Sequence, residues 1–413
     1  MIHSIRTFRW TRAATTAALA LTLVLPLAGT APATAAPAGP VGPAAASAPA
    51  ALPAASSVPA VPAGRITLPR PTGRHSIGSE ILHLVDRSRE DPWVPTADGR
   101  ELMLTLHYPA RPGSGRTAPY ATPGEAAALV KGLNIDTAVD ADRLSAMRTH
   151  SRPGARPVRG KHPLVVLSPG FSVSRYTLTS LAEELASRGY VVVSLDHAHE
   201  SFGIAVPGGR QLDCVACAPI FSGEAHPGIV TAARAADTSF VLDRLLGTRS
   251  PWRHSGMIDR RRVGMGGHSI GGASALSTMV ADTRVRAGFN MDGAFWDTLP
   301  AEGLRGRPFL MLGTHDEVHL PGGRDTTWDT TWPTLDGWKR WLTVAGSHHL
   351  TFSDYPVIVR NFGLPEPGIP HDRAVIVTRR YVTAFLDRHL RGRAAPLLNG
   401  PSTAHPEVFF QHH

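Results

Sequence analysis

The chain of 413 residues is short of cysteine, lysine and long apolar runs, and each shortage excludes something. Its two cysteines, Cys214 and Cys217, form one C-x-x-C pair, which is at most half of a zinc site. Only three lysines are present (Lys131, Lys161 and Lys339), so nearly all the positive charge is arginine. The arginines are scattered and no basic motif laced with aromatics occurs, which argues against a nucleic-acid partner. No apolar run after the first 30 residues is long enough to cross a bilayer, so no transmembrane segment is expected in the mature chain.

What is present at the N-terminus reads as an export signal. Arg6, Arg9 and Arg12 precede an apolar run from Ala13 to Leu27, and Ala33-Thr34-Ala35 has the small-x-small form of a cleavage site. Residues 1–35 are thus expected to be a signal peptide and the mature protein to be secreted. Residues 36–64 are almost all Ala, Pro, Gly, Ser and Val and read as a disordered linker. Residues 65–413 remain for a catalytic domain. Without the three signal arginines, 39 basic residues stand against 33 acidic ones, about +6, enough to favour transient contact with an anionic lipid surface. In an exported chain with no other cysteine, Cys214 and Cys217 read as a local disulfide, with free thiols the alternative.

Residues 65–110 hold two strand-like runs, Ile81–Val85 and Leu102–Tyr108, expected to form a leading antiparallel hairpin. Residues 123–148 carry helical patterns. Strand-like and helix-like runs then alternate: Leu164–Leu167, Leu178–Ser187, Tyr190–Leu195, Ile229–Leu246, the stretch 262–280, Val285–Asn290, Phe309–Leu312, Trp341–Val344 and Asp372–Leu390. This alternation predicts a mostly parallel sheet with helices on both faces, closed by the last helix. Ligands bind such sheets at the carboxyl ends of the strands.

Gly267-His268-Ser269-Ile270-Gly271 matches G-x-S-x-G, a turn that lifts a serine hydroxyl above the sheet between a strand and a helix. A chain with 40 glycines produces such patterns by chance, so the motif needs partners. A nucleotide-binding reading of Gly264-x-Gly266 fails because Ser269 stands where the third glycine should be. A serine nucleophile needs a base, and the base needs an acid, in the chain order Ser, Asp or Glu, His. The strand ending at Asn290 delivers Asp292, the next delivers Asp316, and the strand ending at Val344 delivers His348 and His349. An oxyanion hole needs two backbone N–H groups. Ile270 and Phe171, the latter in Ser168-Pro169-Gly170-Phe171, are the candidates. Asp196-His197-Ala198-His199-Glu200 has metal-ligand residue types, but no distal ligand set accompanies it.

Taken together, Pro71-Thr72-Gly73, His107-Tyr108-Pro109, Leu167–Phe171, Ser187–Val192, Gly267–Gly272 and Gly346–Asp354 resemble the plasma-type platelet-activating-factor acetylhydrolase family of α/β-hydrolases, secreted bacterial lipase-like members included. The similarity spans roughly residues 68–390. It implies an α/β-hydrolase fold, no cofactor, and Ser269, Asp292 and His349 as catalytic residues. The family motif G-S-x-H-x-x-F-x-D selects His349 over His348. The family's acid position selects Asp292, whereas many other α/β-hydrolases would favour Asp316. The chain departs from the family at Pro169, where a histidine is usual. Phe295 and Trp296 could wall an acyl or leaving-group pocket or be ordinary core aromatics. The implied substrates are short-acyl phospholipid or other lipid esters; triglycerides and polyesters fit the same chemistry. A peptidase or amidase on the same fold, and a non-catalytic binding protein, are the rivals.

Overall fold

The computed structural model describes residues 66–412 other than 114, 366 and 367. The expected signal peptide and linker lie outside the described residues. The first strands are β1 (Ser76–Asp86), β2 (Arg100–Ala110), β3 (Ser151–Pro153), β4 (His162–Ser168), β5 (Val191–His197), β6 (Ile204–Val206) and β7 (Arg210–Leu212). They are followed by β8 (Ile258–His268), β9 (Val285–Met291), β10 (Phe309–Thr314), β11 (Lys339–Val344) and β12 (Val408–Phe410). The helices are α1 (Pro123–Gly132), α2 (Ala141–Ser145), α3 (Thr179–Ser187), α4 (Cys217–Phe221), α5 (Gly228–Leu246), α6 (Ile270–Ala281), α7 (Thr326–Thr331), α8 (Tyr355–Phe362) and α9 (His371–Arg391).

Ten strands form one sheet in the order β12-β11-β10-β9-β8-β4-β5-β2-β1-β3, and β6 and β7 make a separate ribbon. The six strands from β11 to β5 are mutually parallel. β1 and β2 are the expected antiparallel hairpin, and β2 pairs antiparallel with β5. The chain steps from β4 to β5 on one side, then returns to β8 on the other. A crevice opens where the winding direction reverses, at the carboxyl ends of β4 and β8. This is the α/β-hydrolase fold.

The central strands read as nearly unbroken apolar runs because both their faces are covered. Leu164 and Val166 of β4 pack with Val241, Leu242 and Leu245 of α5 and Ala273, Leu276 and Met279 of α6. Val165 and Leu167, one residue out of phase, pack with Leu181 and Leu185 of α3 and Tyr381, Val382 and Phe385 of α9. All four β4 side chains are fully buried, each contributing roughly 1.5–3 kcal/mol of transfer free energy. The insert between β2 and β4 has its own small core, in which Leu129, Val130, Leu144 and Met147 pack on Tyr176 and on Val357, Ile358 and Phe362 of α8. Thr122 and Glu125 cap α1 reciprocally, the Glu125 carboxylate accepting from the Thr122 N–H at 2.9 Å.

Two expectations are corrected. The last helix does not close the domain, because the chain continues past α9 and adds β12 antiparallel to β11. Arg260, Arg261 and Arg262, a run of charge that the sequence places just before a strand as a solvated turn, belong instead to β8, which starts at Ile258 and carries a register shift between Val263 and Gly264. Short β3, β6 and β7 left no period in the sequence for a strand assignment to rest on.

Candidate active site

Four strand ends converge on the crevice. β8 runs into Ser269 at φ 56°, ψ −131°, a conformation unfavourable for a residue with a side chain, and α6 begins at Ile270. The flanking glycines are dictated by contact as well as by strain. A Cβ on Gly267 would lie 2.0 Å from the Ser168 carbonyl oxygen, and one on Gly271 would lie 2.1 Å from it. The elbow is therefore pressed against the end of β4 and the start of the Phe171 loop. Ser269 N–H donates to the Met291 carbonyl at 2.8 Å, tying the turn to the end of β9.

β9 delivers Asp292, buried and at φ 62°. β11 delivers His349 in a single helical turn, His349–Phe352, which His348 caps by accepting the Leu350 N–H at 3.3 Å. The His349 ring bridges the other two side chains. Its Nδ1 lies 2.7 Å from Asp292 Oδ2 and its Nε2 3.0 Å from Ser269 Oγ. The His349 side chain is 46% exposed, so this array faces solvent at one end. Asp316 is not part of it: Oδ1 accepts from the Thr314 hydroxyl and the Val318 N–H, both at 2.9 Å, in a local turn.

The loop holding Asp316 contributes something the sequence did not signal. His319 Nδ1 lies 3.0 Å from Asp292 Oδ1, and its Nε2 lies 3.3 Å from Asp325 Oδ2. The same Asp292 oxygen accepts the Thr314 N–H at 2.7 Å. Burial alone would raise the Asp292 carboxyl, but the charge of His319, then hydrogen bonds from His319 and His349, hold it well below the usual carboxylate range. Burial opposes charge on His319 as well, yet Asp292 and then Asp325 raise it to about 10. Asp292 is thus held ionised between two imidazoles, only one of which reaches the serine.

His268, the variable residue of the elbow motif, is buried and donates from Nε2 to the His349 carbonyl at 2.6 Å. Burial, then the neighbouring His349, lowers its pKa to about 3, so it stays neutral. A Cβ on Gly170 would meet His268 Nδ1 at 3.0 Å, which explains a glycine in the Phe171 loop.

That loop rests on a buried polar network. Ser168 Oγ lies 3.0 Å from His197 Nε2, and His197 Nδ1 lies 2.6 Å from Asp237 Oδ2. Arg234 of α5 donates from Nη1 to the Ser168 hydroxyl at 3.1 Å and to the Pro169 carbonyl at 2.5 Å. Its Nε pairs with Glu200 Oε2 at 2.7 Å, while Arg100 bridges Glu200, Asp237 and Asp91. Burial would raise Asp237, but Arg100 and then His197 hold it far below the usual range. Ser172 N–H donates to the Glu200 carbonyl at 2.9 Å, fixing the far end of the loop. The residues read as a metal alternative are dispersed. His197 and Glu200 join this network, Asp196 pairs with Arg175, and His199 lies 3.3 Å from the Asp213 carbonyl. Among the described residues, no group of three or more His, Cys, Asp or Glu side chains could hold a metal ion.

Of the two aromatics read as pocket wall or core, Phe295 packs in the core. It is 5% exposed, with ring centroids 6.0 Å from Phe309 and 6.2 Å from Trp328. Trp296 is half-buried against His226. The aromatic neighbour of the Phe171 loop is Phe221 of α4, whose ring meets Phe171 edge-on at 5.5 Å. Cys214 and Cys217 are disulfide-bonded at the start of that helix.

A model of the family described as platelet-activating factor acetylhydrolase, isoform II, matches residues 129–207 and 251–392. A probable 1-alkyl-2-acetylglycerophosphocholine esterase of Arthroderma benhamiae is 31% identical over 384 residues, covering 83% of this chain and 93% of that protein. The platelet-activating factor acetylhydrolase of Gallus gallus is 22% identical over 277 residues, covering 56% of this chain and 62% of that protein. Among solved structures, a ferulic acid esterase from Streptomyces cinnamoneus aligns with a TM-score of 0.76 at 46% identity, over 84% of this chain and all of that one. The chain belongs to the platelet-activating factor acetylhydrolase, isoform II, family and is a carboxylic ester hydrolase.

Proposed function

We propose that the protein is a secreted serine esterase that works through an acyl-enzyme on small-acyl or lipid esters. The observation that carries this reading is the continuous contact from Ser269 Oγ through His349 to Asp292, with the serine on a strained turn above the sheet. His349 takes the Ser269 proton as the hydroxyl oxygen attacks the ester carbonyl, then returns it to the leaving alcohol. In the second half-reaction it takes a proton from water as the water oxygen attacks the acyl carbonyl, then gives that proton to Ser269 Oγ as the bond from the acyl carbon to that oxygen breaks. Asp292, kept ionised by His319, orients His349 and stabilises its cation. The N–H groups of Ile270 and Phe171 hold the oxyanion, each worth about 2.7–4 kcal/mol of transition-state stabilisation. Export rests on the signal-like residues 1–35, and the Cys214–Cys217 bridge supports it.

A second substrate reading has its own support: aromatic acyl esters of the ferulate kind. The 46% identical structure is a ferulic acid esterase, and Phe171 and Phe221 place two rings edge to face beside the loop that would bind the oxyanion. Nitrophenyl esters from acetate to palmitate, a platelet-activating-factor-type phospholipid and methyl ferulate, assayed side by side, separate the two. A preference for acetyl phospholipid supports the first reading and a preference for methyl ferulate the second. Undiminished activity of Ser269→Ala on all of them would end the mechanism itself.

A further inference from the structure

The opposite edge of the sheet carries a second recess with different chemistry. It lies at the amino ends of β4, β5 and β8, where α3 and α9 end, and is an open hollow of about 270 Å³. Its lining is Arg74, His75, Lys161, His162, Pro163, Arg188, Gly189, Arg262, Arg391 and Arg393, eight basic residues and no carboxylate.

The floor is built rather than incidental. Gly189 has φ 93°, and a Cβ there would lie 3.3 Å from Arg391 Nη2 and 3.6 Å from the His75 ring, so glycine keeps the recess open. His162 Nδ1 lies 2.9 Å from the Gly189 carbonyl, which makes Nδ1 the protonated nitrogen. His162 Nε2 is buried. Arg391 is fixed by stacking on the Tyr190 ring at 3.7 Å and by donating to the Arg188 carbonyl at 3.0 Å. The carboxylates that serve these cations stand outside the lining. Glu184 pairs with Arg188, Asp259 with Arg262, and Asp387 with both Arg391 and Arg393. Three acids thus answer six permanent cations.

The histidines register the resulting positive potential. Burial, then Arg74, His162 and Arg391, lower the pKa of His75. Burial, then Arg391 and Arg262, lower that of His162 against its backbone hydrogen bonds to Gly189 and Arg159. Like charges gathered around one hollow are mutually destabilising, and an oxyanion at the centre reverses the sign of each of those interactions.

We propose that this recess is a binding site for the phosphate group of a small phosphomonoester, remote from the ester-cleaving crevice. Arg391 donates to the phosphoryl oxygens from the floor, and Arg74, Lys161, Arg262 and Arg393 close around the rim. Guanidinium groups suit this ligand because their paired N–H donors match two oxygens of one phosphate. The recess is roomier than a bare phosphate requires, which favours a ligand with a carbon skeleton beyond the phosphate.

The test is calorimetric titration of the full chain at low ionic strength with inorganic phosphate and with glucose 6-phosphate, using chloride at matched ionic strength as the reference. The variant is Arg74→Ala with Arg393→Ala; both side chains are exposed, so the fold is not at stake. Saturable 1:1 binding of the sugar phosphate, weakened at least tenfold in the variant with nitrophenyl acetate hydrolysis unchanged, supports the site. Equal affinity for inorganic phosphate keeps the site and names free phosphate as its ligand. Absence of saturable binding for both ligands, or binding undiminished in the variant and in Arg391→Lys, overturns it.

Discussion

Ser168, His197 and Asp237 repeat, beneath the Phe171 loop, almost the same contacts that Ser269, His349 and Asp292 make in the crevice. The serine-to-imidazole distance is 3.0 Å in both, and the imidazole-to-carboxylate distances are 2.6 and 2.7 Å. Under the proposed mechanism only one of the two serines is the nucleophile, so residue type and spacing do not suffice to make one. Ser168 ends an ordinary strand, is fully buried, and shares its hydroxyl with Arg234. Ser269 sits on a strained turn, and its imidazole is nearly half exposed. The buried array is wired into arginines that hold a loop in place, whereas the open one faces solvent through its imidazole.

Substitutions at matched positions break or sharpen this contrast. Ser269→Ala should lower kcat by roughly 10⁴-fold or more, while Ser168→Ala costs no more than a few-fold; nitrophenyl acetate hydrolysis reads both. Asp292→Asn should cost on the order of 10⁴-fold in kcat, since it disturbs the tautomer and orientation of His349. Asp316→Asn should stay within a few-fold. In the buried array the loss is in folding. Asp237→Asn leaves His197 without its carboxylate and Arg100 with only Asp91 and Glu200, and should destabilise by about 3–5 kcal/mol, read from urea unfolding.

The smaller effects concern positioning. Ser168→Ala should lower kcat a few-fold with KM unchanged, because loosening the Phe171 loop weakens the oxyanion contact more than substrate binding. His319→Gln changes pH dependence. The folded-state pKa of His319 is raised from 6.5 to about 10, so its stabilising contribution is complete below pH 6.5 and lost as pH rises through 10. Urea midpoints of the wild type should fall across that window more steeply than those of the variant.

The contrast also explains what was legible in the sequence. The alternation of apolar strands with amphipathic helices carries the parallel sheet, because burial on both faces leaves a strong local pattern at Leu164–Leu167 and Phe309–Leu312. The G-x-S-x-G elbow was visible because steric crowding by the Ser168 carbonyl demands glycine at two fixed offsets. Strand ends delivered Asp292 and His349 as candidates, and only the family likeness ranked them above Asp316 and His348. His319, Arg234 and Asp237 carried no signal, since the groups they serve at the two arrays, Asp292, Ser168 and His197, lie 27, 66 and 40 residues away on other elements. Phe295 could be read as wall or core because aromatics serve both, and only packing against Phe309 and Trp328 decides between them.

A fluorophosphonate probe followed by peptide mass mapping addresses the nucleophile without reference to any substrate. The expected adduct lies on the peptide containing Ser269, with none on the peptide containing Ser168, and labelling vanishes in Ser269→Ala. An adduct on Ser168, or labelling that persists in Ser269→Ala, would contradict the assignment of the open array as the reactive one.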